Sequence, residues 1–175
     1  VESLSKCLLF WRSFTHWIGG MGVLVFMLSI LPLAGGNNMH ILRAESPGPS
    51  VGKLVPRLRS TATILYAIYA ALTFIEFVLL LLGGMSLFDA VTTAFATAGT
   101  GGFGIKNSSM AEYSVYIQNV VAIFMVLFGV NFAIYFLFLI KKPKEALKSE
   151  ELRTYLGIIF ISTIVIGFNI KDSFS

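Results

Sequence analysis

An all-α polytopic membrane protein is the fold class this sequence predicts, and three observations predict it. The 175 residues are 56% hydrophobic and only 13% charged, where a soluble domain carries roughly a quarter charged residues. The apolar residues gather into four long runs separated by short polar segments, the pattern of membrane spans. Most of the Lys and Arg crowd into two of those segments, as the positive-inside bias of membrane proteins demands.

The four runs follow in order. The first covers about Phe10–Leu33 and ends at Pro32 and the turn Gly35-Gly36-Asn37-Asn38. The second covers about Thr61–Leu82 and ends at Gly83-Gly84, and the third covers about Tyr113–Ile140 and ends at Lys141-Lys142-Pro143. The fourth covers about Leu152–Ile170 and is the shortest. A helix needs about 20 apolar residues to cross the hydrocarbon core, which each run approaches or exceeds. The segment Ala34–Ser60 carries Arg43, Lys53, Arg57 and Arg59, and Lys141–Arg153 carries five more cations. Both are expected on the cytoplasmic side. The stretch Gly83–Glu112 has only Lys106 and is expected outside.

Other function classes fall away. The net charge of +4 is explained by the basic loops, so no nucleic-acid partner is expected. Cys7 is the only cysteine and there are two His, too few for an internal disulfide or a structural zinc site. No cleavable leader is recognised, and the chain starts almost in a span, so it reads as an internal fragment of a longer protein. No Ser-His-Asp arrangement, H-E-x-x-H or Walker lysine is present, so no enzyme chemistry is expected.

The outer stretch holds a second pattern. Leu87–Ala98 has the periodicity of a helix too short to span, with Ser86-Leu87-Phe88-Asp89 as its cap and Asp89 reaching back to free amides. Gly99-Thr100-Gly101-Gly102-Phe103-Gly104 follows at once, and Ser109-Met110-Ala111-Glu112 reads as a capping box for the third run. Span, short helix, glycine-rich turn, span is the order of a re-entrant segment. The glycines also match G-x-G-x-x-G, but that nucleotide fingerprint must follow a strand and open a helix, and here it follows a helix. A non-conducting scaffold, with glycines that only let helices pack, is the rival reading. An ion filter explains more. Dehydrated potassium needs oxygens to replace its water, and successive backbone carbonyls supply them. Thr100-Gly101-Gly102-Phe103-Gly104 parallels the T-V-G-Y-G filter, with Gly101 and Phe103 in place of Val and Tyr. The carbonyl end of the short helix would favour a cation there.

Three stretches carry a more specific likeness: Phe10-Trp11-Arg12-Ser13-Phe14-Thr15-His16-Trp17-Ile18-Gly19-Gly20-Met21-Gly22, then Arg43-Ala44-Glu45-Ser46-Pro47-Gly48-Pro49, then Phe88-Asp89-Ala90-Val91 through Thr100-Gly101-Gly102-Phe103. By these the whole chain resembles the membrane subunit of the Trk/Ktr/HKT potassium transporter superfamily. The resemblance implies potassium-channel-like helix–pore loop–helix repeats, four to a polypeptide around one axis. It implies that 1–33 is the closing helix of repeat one and 34–60 a cytoplasmic loop. Repeat two would be 61–140, made of helix 61–83, pore helix 87–98, filter 99–104 and helix 113–140. A second cytoplasmic loop, 141–152, would lead to 153–175, the opening helix of repeat three. Potassium would bind at Thr100, Gly101 and Gly102, with Phe103 completing the filter and Gly102 as the signature glycine. The resemblance also implies the inner plasma membrane, a homodimer and a cytosolic nucleotide-binding regulatory subunit. No cofactor is expected in this chain besides the transported ion.

Supporting residues are read with alternatives. Gly99, Gly104 and Asp89 flank the filter or its helix. Glu76, deep in the second run, either steadies the pore or hydrogen-bonds the neighbouring short helix, the latter preferred. Arg12 and His16 share a face one turn apart. Arg12 braces the filter backbone or an outer carboxylate, or else anchors the interface beside Trp11 and Trp17; a proton-sensing His16 has no support. Asn131, with Gly129, interrupts the third run, bonding across helices or facing a cavity. Gly19, Gly20 and Gly22 allow close helix packing. The Ala44–Pro49 loop is a candidate docking segment or an ordinary turn.

Overall fold

A computed structural model describes residues 3–22, 51–139, 141 and 143–171, with the side chains of 51–61 left aside. Expectations for the end of the first run, the Gly35–Asn38 turn, Arg43 and the Ala44–Pro49 loop lie outside the described residues. The described elements are all helical: α1 (Lys6–Gly20), α2 (Val51–Leu82), α3 (Leu87–Ala98), α4 (Val115–Gly129), α5 (Phe132–Leu139), α6 (Pro143–Leu147) and α7 (Glu150–Lys171). The chain divides into two compact units, residues 1–129 and 130–175.

In the first unit α3 is the centre, in contact with α1, α2 and α4. Its sequence explains how it fits there. Ala90, Thr92, Thr93, Ala94, Ala96, Thr97 and Ala98 are all buried, and side chains this small let three neighbours approach its backbone. Thr92 and Thr97 bring hydroxyls into that interior but satisfy them locally. Thr92 donates to the Phe88 carbonyl at 2.8 Å, and Thr97 donates to the Thr93 carbonyl at 2.9 Å, the back-bonding that polar helix residues use when no water is present. Ser86 caps the start by accepting the Asp89 N–H at 3.2 Å, which fits the expected boundary. Asp89 does not reach back; its carboxylate accepts the Tyr113 hydroxyl at 3.1 Å.

The turn from α2 into α3 has a defined mechanism. Met85 N–H bonds the Leu80 carbonyl at 3.2 Å and Gly84 N–H bonds the Leu81 carbonyl at 3.0 Å. With Gly84 at φ 86, this is the Schellman end that closes helices on a left-handed glycine. Along α2, Tyr69, Thr73, Glu76 and Leu80 recur at helical spacing, and all four are buried. They meet α1 through Trp17, whose ring stacks on Tyr69 and lies against Phe95 of α3.

Four expectations need correction. The basic segment is expected in a loop as far as Ser60, but α2 already starts at Val51; Lys, Leu and Arg, which make up half of residues 51–60, are good helix formers. The capping box at Ser109–Glu112 does not form. Ser109 is left-handed at φ 57, and Ser114 caps α4 by accepting the Ile117 N–H at 3.4 Å. Trp17 is not part of an interfacial belt, because its indole N–H donates to Thr73 at 3.1 Å inside the bundle; Trp11 remains exposed. The third run is not one helix. It stops at Gly129 and resumes at Phe132, where a glycine and an asparagine are weak helix formers side by side with Val130.

The second unit is built on Val130, Ile134 and Ala146, with Tyr135, Leu137, Leu152 and Tyr155 packed against them. Asn131 donates to both carboxylate oxygens of Glu151, at 3.0 and 3.2 Å. Helix α7 is long and apolar enough to cross a membrane, and so is the Ala62–Leu82 part of α2.

Candidate functional site

The loop after α3 begins as a helix cap and leaves as an irregular strand. Thr100 N–H bonds the Thr97 carbonyl at 2.8 Å, and Gly101 N–H bonds the Ala96 carbonyl at 3.0 Å. This is the same Schellman pattern, but the left-handed position holds Thr100, at φ 55. A β-branched residue there is an outlier and costs about 1–3 kcal/mol. Its hydroxyl bonds the Gly99 carbonyl at 2.7 Å, a local compensation.

This cap decides where carbonyls point. In a planar trans peptide the C=O is directed opposite to the N–H. The Gly101 N–H faces back into α3, so the Thr100 carbonyl of the same peptide unit faces away from the helix. The Gly99 carbonyl does likewise. Two residues on, Gly102 is left-handed again, at φ 66, and open space surrounds the place where a Cβ would stand. Conformation alone, and not crowding, requires glycine at 102.

The back of the loop is held by α1. Arg12 donates from Nη2 to the Gly104 carbonyl at 2.9 Å, and its guanidinium lies 4.5 Å from the centre of the Phe103 ring. The His16 ring sits 5.1 Å from the same phenyl group. His16 also fills the space where side chains on Gly99 or Gly101 would go: a Cβ at either position would collide with the imidazole. Gly20 is the glycine of α1 that makes the close approach, against the backbone of Ala98 and Gly99, while Gly19 faces open space. The other side of Gly102 and Phe103 borders a cavity of about 180 Å³ that reaches Thr93, Thr97 and Met125.

The loop then returns over a polar latch. Lys106 pairs with Glu112 at 2.7 Å, Ser108 donates to the same carboxylate at 2.5 Å, and the Lys106 ammonium lies over the Tyr113 ring. Hydrogen bonds from Lys106 and Ser108 hold the Glu112 carboxyl below the usual carboxylate range. Gln118 of α4 donates to the carbonyls of Met110 and Tyr113.

The structure therefore brings Gly99, Thr100, Gly101, Gly102, Phe103, Gly104 and Arg12 into one site. Asp89 stands at the far end of α3, joined to Tyr113. Glu76 lies in the buried line of α2, and Asn131 belongs to the second unit with Glu151 as its partner. Sequence reasoning left His16 without a role; its place one turn from Arg12 was the available signal. Tyr69 was missed, although its hydroxyl donates to the Trp17 carbonyl at 2.8 Å and ties α2 to α1 beside the loop.

Short buried helix, re-entrant loop and flanking long helices define an all-helical membrane protein of the potassium-channel-like, pore-loop class. The family assignment agrees. The TrkH model, described as a cation transport protein, matches residues 1–166, and the chain belongs to that family. It is 36% identical over 181 residues to the Trk system potassium uptake protein TrkH of Salmonella typhimurium, covering 99% of this chain and 38% of the relative. It is 34% identical over 173 residues to the Trk system potassium uptake protein TrkG of Escherichia coli, covering 97% and 36%. The crystal structure of the potassium transporter TrkH from Vibrio parahaemolyticus matches 98% of this chain and 34% of its own, with a TM-score of 0.74 and 30% identity. The chain thus spans a little over a third of the length of these relatives.

Proposed function

We propose that the protein takes up potassium across the plasma membrane, with residues 99–104 as one strand of a filter completed by other pore loops. The carrying observation is the cap at Thr100 and Gly101. With both N–H groups tied back to α3, the carbonyls on the other side of those peptide units are presented away from the helix, as ion coordination requires. Left-handed Thr100 and Gly102, one residue apart, take the backbone off any regular helix or strand path through this stretch. Potassium sits at the carbonyl of Thr100, which the cap directs outward, and at those of Gly101 and Gly102 beyond it, with Phe103 next in line. Arg12 holds Gly104 from behind.

In this reading 61–140 is one whole repeat, 1–33 closes the repeat before it, and 153–175 opens the next. The basic segments 34–60 and 141–152 face the cytoplasm of a cell whose inner membrane holds the protein. No covalent step is involved; the ion moves down its electrochemical gradient. A homodimer and a cytosolic nucleotide-binding regulatory subunit complete the assembly.

The test uses full-length protein in liposomes. Gly102→Ser places a side chain at φ 66, which costs about 1–2 kcal/mol in the strand that matters. Rubidium uptake is expected to fall about fivefold to thirtyfold, the factors that such a cost represents, with membrane insertion unchanged. Normal rescue of potassium-starved cells by this variant would refute the filter.

A further inference from the structure

The buried line of α2 contains three polar side chains, and two are satisfied. Tyr69 donates to the Trp17 carbonyl at 2.8 Å; Thr73 donates to the Tyr69 carbonyl at 2.9 Å and accepts from the Trp17 indole. Glu76 is different. It is 0% exposed, and among the described residues neither carboxyl oxygen has a hydrogen-bond partner. Among the described residues no cation forms a salt bridge with it. A carboxylate in that state, at the depth of a membrane span, is among the costliest arrangements a protein can hold.

Among the described residues, polar groups that act on Glu76 include Tyr69, on its own helix and donating to Trp17, and Thr97 on α3. The Thr97 hydroxyl has one proton, and it is given to the Thr93 carbonyl at 2.9 Å. Toward Glu76 it therefore offers lone pairs only. An ionised carboxylate also offers lone pairs only, and the two would repel. A proton on Glu76 removes both difficulties.

We propose that Glu76 is carried as a neutral carboxylic acid whose O–H donates to the Thr97 hydroxyl, a positioning residue that fixes the last turn of α3. The donor chain runs from Glu76 to Thr97 Oγ1 to the Thr93 carbonyl. The Thr97 carbonyl in turn accepts the Thr100 N–H at 2.8 Å, so any shift of Thr97 is handed to the loop. The role in the loop, though not the protonation, rests on reading 99–104 as a filter.

Infrared spectroscopy of the full-length protein in liposomes at neutral pH tests the proton. The expected result is a carboxylic-acid carbonyl band that vanishes in Glu76→Gln and shifts in Thr97→Val. The rubidium-over-sodium flux ratio tests the role. It is expected to fall about tenfold in Glu76→Ala, as for one ordinary hydrogen bond, and to recover in Glu76→Gln, whose amide also donates. Gel filtration screens for assembly, and Thr97→Val carries the flux arm if Glu76→Ala does not assemble. Identical carbonyl spectra for wild type and Glu76→Gln, a band unmoved by Thr97→Val, or a Gln variant no better than Ala would each overturn the proposal. Absent rubidium flux in the wild type would instead sink the filter, with the infrared result still deciding the proton.

Discussion

Helices α3 and α7 are both apolar, yet they solve opposite problems. Helix α3 has 12 residues, too few to cross a bilayer, and its small side chains are buried by protein. Helix α7 has 22 residues, and no residue of its apolar window is buried by this chain, which spans a little over a third of the length of its relatives. A helix that spans satisfies its own backbone and can present Ile, Val and Phe to lipid. One that ends within the membrane leaves terminal carbonyls and a following loop that lipid cannot hydrate, so protein must surround it. Length and side-chain size together separate the two roles.

That contrast can be broken by substitution. The largest effect is expected from overfilling α3. Ala94 is 1% exposed, and Ala94→Leu is expected to destabilise by about 1–3 kcal/mol, whereas Ile161→Leu on α7 keeps the side-chain volume and is expected to cost less. Thermal unfolding of the purified full-length pair measures both, and equal shifts would erase the distinction.

Removing the brace behind the loop comes next. Arg12→Ala deletes the bond to Gly104 and the contact over Phe103, with an expected loss of about 1.5–3 kcal/mol for a hydrogen bond from a charged donor. Arg12→Lys keeps the charge but not the planar fork, so it is expected to recover part of the ion discrimination in a flux assay. Full recovery would show that charge alone suffices.

The smallest effect belongs to the polar latch. Lys106 and Ser108 stabilise the ionised form of Glu112, so its folded pKa lies below the unfolded one. The latch therefore contributes fully above the ordinary carboxylate range and is lost as pH falls through the lower folded value. Hydrogen-exchange protection of the amides of residues 106–113, taken relative to their intrinsic exchange rate at each pH, is expected to fall under acid in the wild type. Glu112→Gln is expected to show the lower protection already at neutral pH. A pH-independent wild type would remove the latch from the account.

Much of this was legible in the sequence because it depends on local chemistry. Ser86 before an alternation of Ala and Thr marked the start of α3, and the glycines after Ala98 marked its end; the helix runs Leu87–Ala98 as expected. Boundaries that several candidates could fill were less readable. Ser109 and Ser114 are both plausible caps, and the tether of Gln118 to Met110 and Tyr113 accompanies Ser114. Gly129 and Asn131 were visible as an interruption, but apolar residues on both sides suggested continuity, and the partner Glu151 lies twenty residues on. The supports of the loop were legible in part. Arg12 was one candidate brace for the loop backbone, and it bonds Gly104, 92 positions on; the bond from Tyr69 to Trp17, 52 positions apart, lay beyond any periodicity.

Thr100 has a consequence of its own. A branched side chain in a left-handed turn behaves like a cocked spring, kept under load by its neighbours and by its own hydroxyl. Glycine there would let the spring relax. Thr100→Gly is expected to ease the turn while making the strand slacker, so a sturdier fold would come with blunter discrimination between ions.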